Sequence, residues 1–240
     1  EDIFLESLSK YLIQKISQLP VETAEIMVGF IKDSNGDICF SGYNENDRVK
    51  LNMHNSFNST EEYIQALNKL IKDSVPLQFM IAISIASILL AYMNMKYQIP
   101  VMSFIVNIIG KSTTGKSTAQ ELATSIITSI DDKKVRMPFF GTENAILKSL
   151  DGKMGIPCHA DESTCISGFN RENFIYSLSN ESEKRRMNQD CTFRKSGLWK
   201  LIMTISSEEA FFENSSNRHQ GLEIRLHKYH NLAFTSSHEH

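Results

Sequence analysis

The sequence predicts an α/β fold, a parallel sheet with helices on both faces, preceded by a smaller α+β region. Three observations point there. VMSFIVNII (Val101 to Ile109) is a near-continuous apolar run opened by Pro100, as a strand covered on both faces reads. The glycine loop GKSTTGKST follows directly and runs into TAQELATSIITSI, where Ala119, Leu122, Ala123, Ile126, Ile127 and Ile130 recur at helical spacing. From Pro76 onward helix and strand patterns alternate, which is how a parallel sheet is built.

The chain has 240 residues, enough for one large or two small domains, with 41% hydrophobic and 22% charged residues. A formal net charge of −3 excludes a globally basic nucleic-acid binder, so any DNA contact has to come from a local patch. Cys39, Cys158, Cys165 and Cys191 are widely spread without a C-x-x-C pair, which argues against a metal or disulfide framework and for the cytoplasm. His227, His230, His238 and His240 read as a strand-borne pair and a tail rather than a zinc cluster.

Residues 1–75 are expected to form an accessory region. IFLESLSKYLIQKISQL has amphipathic helical spacing and ends at Pro20. AEIMVGFI, the turn KDSNGD and ICFSGY predict a β-hairpin, because Asn35-Gly36 between apolar runs is a strong turn signal. STEEYIQALNKLIKDS predicts a helix capped by Ser59 or Thr60 with acids in its first turn. Residues 76–240 are expected to be the core. It opens with FMIAISIASILLAYM (Phe79 to Met93), uncharged but fifteen residues long, short of the ~20 a bilayer needs. With Pro76 at its start and Ser84 and Ser87 inside, it reads as a buried core helix, and no membrane partner is expected.

The glycine loop carries the first chemical signal. Gly110, four residues, then Gly115-Lys116-Ser117 fit G-x-x-x-x-G-K-[ST], the phosphate-binding P-loop. The first Gly-Lys-Ser unit does not fit, since Ile105 stands where its leading glycine would be. Glycines let backbone N–H groups turn toward phosphates, so Gly110, Thr113, Thr114, Gly115, Lys116, Ser117 and Thr118 form the expected cradle. Lys116 supplies a mobile charge and the Ser117 hydroxyl a magnesium ligand, which predicts ATP with Mg²⁺.

KKVRMPFF is the next expected strand and TENAILKSL a helix capped by Thr142. MGIPCHADEST then reads as a strand ending in Asp161-Glu162, a Walker B box. Its Asp holds the magnesium shell and its Glu polarises the attacking water. Cys158 and His159 interrupt the apolar pattern, and a solvated turn is the competing reading. NFIYSLSN predicts a short helix. EKRRMNQDCTFRKSGLWK holds the densest positive charge, Lys184, Arg185 and Arg186 before and Arg194 and Lys195 after a tip at MNQDC. A solvated charged loop is the plainer alternative. LWKLIMTIS is an expected buried strand ending at Ser206-Ser207-Glu208, and GLEIRLHKY an expected strand bearing Arg225.

In this order of landmarks, residues 76–232 resemble the core of the MCM-like AAA+ ATPases of mobile genetic elements and phages, a family long catalogued as a domain of unknown function. The matching blocks are NIIGKSTTGKST, GTENAILKSL, PCHADEST, IYSLSNESEKRRMN, LWKLIMTISSEE and GLEIRL. VGFIKDSNGDICFSG resembles the family's upstream region. The resemblance implies a P-loop NTPase (AAA+-like) fold, ATP hydrolysis with Mg²⁺, a homo-oligomeric ring, expected as a hexamer, and single-stranded DNA as partner. It implies Walker A roles for Lys116 and Ser117, Walker B roles for Asp161 and Glu162, and a γ-phosphate sensor at Ser206. Arg225 would be an arginine finger acting on a neighbouring subunit, with Arg218 its rival. Lys184, Arg185 and Arg186 would open a pore-lining hairpin. The family tends to carry small residues where Glu181, Glu183 and Arg185 stand, and no helical lid is expected within residues 76–240. Two other classes compete: a regulatory switch ATPase that binds protein, and a P-loop kinase acting on a small molecule.

Overall fold

A computed structural model of the chain describes residues 28–33, 35–42, 59–130, 132–161, 169–184, 196–212 and 220–234. The helix expected before Pro20 lies outside them. The expected hairpin is β1 (Val28–Lys32) and β2 (Ile38–Ser41), antiparallel, with Gly29 opposite Ser41 and Lys32 opposite Ile38. The Asp33 carboxylate closes its turn by accepting from Asn35 N at 2.9 Å and Asp37 N at 2.7 Å. Helix α1 (Thr60–Ile71) starts as the sequence predicts, the Ser59 side chain accepting from Glu62 N at 3.1 Å.

Helix α2 (Val75–Tyr97) has 23 residues, more than its apolar stretch suggests, and is long and apolar enough to cross a membrane. Here it packs inside the protein, against α1 and β1 and against elements of the main sheet. Its buried serines are tied to the core: Ser84 Oγ donates to Ala123 O at 3.0 Å, and Ser87 Oγ accepts from Ile202 N at 3.0 Å.

The main sheet has five parallel strands, β3 (Phe104–Ile109), β4 (Arg136–Pro138), β6 (Cys158–Asp161), β7 (Ile202–Ser207) and β8 (Leu226–His230), in the order β4-β6-β7-β3-β8. Between them run α3 (Lys116–Thr124), α4 (Glu143–Ser149), α5 (Arg171–Ser179) and the short α6 (Gln220–Glu223). Strand alternation sorts the two faces. Ile105, Met137, Phe139, Cys158, Ala160, Met203 and Ile205 pack against α4 and α5, with Trp199 and Phe174 in the same cluster. Val106, Ile108 and Ile202 face α2 and α3, where Met80, Ile83, Ala119 and Ala123 meet them.

Several boundaries differ from the sequence reading, each for a local reason. β3 begins at Phe104 rather than Val101, because the Ser103 N–H and hydroxyl are both taken by Glu181 Oε1, at 2.6 and 3.1 Å. The helix after the glycine loop starts at Lys116 and ends at Thr124, giving way to turns before Ile130. GLEIRLHKY is not one strand. Gly221–Glu223 belong to α6, and Arg225 N donates to Leu222 O at 3.0 Å, closing a turn before β8. β5 (Lys153–Met154) is a short strand that the pattern does not reveal. It pairs in parallel with β1, Val28 opposite Lys153, to give a three-stranded sheet of order β2-β1-β5. Val28, Phe30 and Phe40 of the hairpin share one apolar cluster with Ile88, Ala91, Ile127, Val135 and Ile156, so the hairpin is packed on the core.

Candidate functional site

The glycine loop lies at the carboxyl end of β3, where open parallel sheets bind ligands. Gly110 N donates to Ser207 O at 3.0 Å, extending the β3–β7 pairing to the first glycine of the motif. Thr113 (φ 66°) and Gly115 (φ 82°) are left-handed and fold the chain back on itself. Helices α1, α2, α4 and α5 each have a side-chain cap, from Ser59, Ser74, Thr142 and Asn170. α3 begins instead at Gly115 with no side chain bonded to its first turn, which leaves its leading N–H groups facing the loop. A Cβ on Gly110 would stand 3.6 Å from Thr114 Oγ1 and 4.0 Å from Lys116 Cδ, inside the space that the loop encloses.

Lys116 Nζ donates to Gly110 O at 2.7 Å and Lys111 O at 2.6 Å, so its charge stands at the loop. Partial burial lowers its pKa from the ordinary lysine value, while the negative charges of Glu208 and Asp161 act the other way. Glu208, just past β7, accepts a hydrogen bond from Ser112 Oγ of the loop. Asn107, buried in β3, holds that region. Its side chain donates to Ile205 O at 3.1 Å and Ser207 Oγ at 2.8 Å, and accepts from Phe211 N at 2.7 Å.

Strand alternation brings the next residues together. Ala160 and Ile205 point to the α5 face, so Asp161 and Ser206 point to the face that carries α3. Asp161 Oδ1 accepts from Ser117 Oγ at 3.0 Å and from Ser206 Oγ at 2.9 Å. Asp161 therefore ends β6 beside the glycine loop, with its carboxylate tied to the helix that follows that loop. A hydroxyl and a half-buried carboxylate in contact are the hard oxygen donors that magnesium takes, and Ser117 and Asp161 fit that ion.

The sequence reading missed Arg136, at the start of β4. Its Nη2 lies 3.1 Å from Asp161 Oδ2 and its Nη1 2.9 Å from Glu121 Oε1 of α3. No local signal gave it: β4 is three residues long, and only its parallel pairing with β6, Met137 opposite Ala160, puts Arg136 on the face of Asp161. It also missed the polar layer beneath. His159 Nδ1 is 2.8 Å from Thr204 Oγ1, and Nε2 is 3.2 Å from Ser84 Oγ. Because Ser84 donates to Ala123 O, its oxygen accepts from Nε2–H, and the neutral ring accepts from Thr204 through Nδ1. Gln120 Nε2 donates to Ala160 O at 3.0 Å and lies 3.4 Å from Thr204 Oγ1. Complete burial, and secondarily the Arg136 charge, push the His159 pKa down to about 3.

Other expected site residues lie apart. Arg225 stands just before β8, its carbonyl accepting from Ile105 N at 2.8 Å. That is the amino end of the sheet, roughly 17 Å of strand away from the chain's own glycine loop. Its guanidinium donates to Gly221 O and lies 5.1 Å from the centre of the Tyr176 ring. Lys184 pairs with Glu143 of α4 at 3.1 Å. The two ends of the basic segment meet, since Ser182 and Leu198 form an antiparallel bridge and Glu183 N donates to Gly197 O at 2.9 Å. Glu181 is engaged by Ser103 and by Lys200 at 2.9 Å, and Glu183 by Gly197 N at 3.0 Å. Glu162, Arg185, Arg186, Arg194, Lys195 and Arg218 lie outside the described residues. A cleft of about 1120 Å³ opens beside the loop on the α5 face, lined by Ile109, Asn170, Arg171, Glu208 and His230 among others. Ser117 and Asp161 do not line it.

A five-stranded parallel sheet flanked by helices is consistent with a P-loop NTPase-like fold. The chain belongs to the family described as a domain of unknown function (DUF927), whose family model matches residues 26–197. It is similar in structure to a chain described as SCCmec type IV Cch, an active helicase, with a TM-score of 0.65 and 19% identity. That match covers 97% of this chain and 45% of the other, so this chain spans less than half of that protein's length. A structure described as the A form apo C-terminal region of NrS-1 matches 98% of this chain and 54% of its own at 14% identity. Its TM-score is 0.39. No curated protein matches the chain.

Proposed function

We propose that the chain is the ATPase core of a ring-forming motor acting on DNA, an MCM-like AAA+ helicase of a mobile element or phage. The observation that carries this reading is the meeting of the Ser117 and Ser206 hydroxyls on Asp161 Oδ1, within 3.0 Å, at the mouth of a glycine loop that holds Lys116. Loop 110–118 would take the phosphates on its N–H groups and on Lys116. Ser117, with Asp161 behind it, would hold Mg²⁺, which when bound neutralises phosphate charge. Glu162, next to Asp161 in sequence, would take a proton from the attacking water, and Ser206 would sense the γ-phosphate.

Arg225 is a finger only in trans on this reading, because it stands at the far end of the sheet from its own loop. Six copies of the segment from Lys184 to Lys195 around one channel would concentrate its charge on single-stranded DNA. The likeness to a chain described as an active helicase supports a motor. The Lys184–Glu143 ion pair favours a second reading, a switch ATPase that binds protein, because it neutralises one of the five cations.

The test is the ATPase rate of the hexamer with and without single-stranded DNA. Wild type is expected to be stimulated, and Lys116→Ala to lose nucleotide affinity. Replacement of Lys184, Arg186 and Arg194 with Ala is expected to abolish DNA binding while basal hydrolysis survives. Unchanged DNA affinity and salt dependence in that triple variant would hand the case to the switch reading, and a Lys116→Ala protein with normal turnover would remove the ATPase itself.

A further inference from the structure

Arg136 has no part in the reading above, yet among the described residues its guanidinium pairs with Asp161. Its fork bridges two carboxylates, Nη1 to Glu121 Oε1 at 2.9 Å and Nη2 to Asp161 Oδ2 at 3.1 Å. Its Nε is buried without a partner among the described residues, so the two carboxylates fix the fork. Asp161 is thereby divided: Oδ2 belongs to Arg136, and Oδ1 to the hydroxyls of Ser117 and Ser206. A carboxylate clamped through one oxygen cannot rotate without breaking a charge-assisted bond.

We propose that Arg136 is a positioning residue: it holds Asp161 so that Oδ1 stays turned to the Ser117 hydroxyl, and through Glu121 it ties that orientation to the helix that starts at Lys116. The inference rests on the nucleotide–magnesium reading of the site. A cation beside Asp161 would also have a plain charge effect of opposite sign, weakening the hold on a divalent ion. The trio of Arg136, Glu121 and Asp161 argues against that effect dominating. Glu121 neutralises the guanidinium, and one negative charge remains at the site. Lysine could not replace the device, since a point charge has no planar fork to bridge two carboxylates.

Two charge-preserving variants separate orientation from charge: Arg136→Lys and Glu121→Asp. Binding of a fluorescent mant-labelled ADP to the whole chain is measured in EDTA and across a MgCl₂ titration, with thermal melts to verify folding. Positioning predicts that the Mg²⁺ midpoint rises about tenfold in Arg136→Lys and by a smaller factor in Glu121→Asp, in line with other partners of metal ligands. Affinity in EDTA stays at the wild-type value. Arg136→Gln should also raise the midpoint, whereas charge alone would lower it and leave both charge-preserving variants unchanged. That pattern overturns the proposal. If the Arg136 variants do not fold, Glu121→Asp decides, and an unshifted midpoint sinks the role. Wild-type binding that ignores Mg²⁺ removes the nucleotide–magnesium reading and this one with it. Mg²⁺-dependent wild type with unaltered variants removes only the positioning role.

Discussion

Acidification should destabilise this protein through one buried side chain, His159. In the folded chain the ring stays neutral down to about pH 3, held between Thr204 and Ser84 in a site that water does not reach. Unfolded, it takes a proton near pH 6.5. Between those values the unfolded state binds more protons, so stability is full above about pH 6.5 and falls as pH falls. The slope approaches about 1.4 kcal/mol per pH unit, which amounts to about 2 kcal/mol between pH 8 and pH 5. Urea unfolding at pH 8, 6 and 5 measures it, read by the single tryptophan, Trp199, which is buried in the main cluster. Other groups titrate in that range, so the comparison is with His159→Gln, which can pair with the same hydroxyls and does not ionise. The variant starts less stable, by about 1 to 2 kcal/mol, but should lose about 2 kcal/mol less on going to pH 5. Equal losses in wild type and variant would mean that His159 is not held neutral, and the argument from burial would be wrong.

Two further outcomes follow from the geometry. Gly29→Ala should cost about 2 kcal/mol or more in thermal melts, because φ is +103° and the added Cβ would lie 1.9 Å from Met154 O of β5. An unshifted melt would mean that β1 does not dock on β5. Mixing Arg225→Ala with Lys116→Ala subunits should restore part of the hydrolysis that each lacks alone, at interfaces pairing an intact finger with an intact loop. A finger is worth roughly 10³-fold. Wild-type turnover by Arg225→Ala alone would take that residue out of the site.

What the sequence by itself determined is local and periodic. The hairpin around Asn35-Gly36, the capped starts of α1 and α4, and the strand–glycine loop–helix unit at Gly110 to Ser117 are encoded in contiguous residues. Their turn chemistry, caps and apolar period need no distant partner. Asp161 and Ser206 were also legible near strand ends, Asp161 closing β6 and Ser206 standing one residue before the end of β7. Only the tertiary structure decided that these two meet on one oxygen of Asp161. That depends on β7 lying between β3 and β6, an order in space that no local pattern carries. The same holds for Arg136, on a three-residue strand too short to show alternation, and for β5, two residues whose strand character comes from pairing with β1. His159 looked like a flaw in an apolar strand, and became a satisfied polar contact once α2 and β7 supplied Ser84 and Thr204. A buried polar side chain is tolerated or not according to partners far away in sequence, and only the folded chain brings them within hydrogen-bond distance.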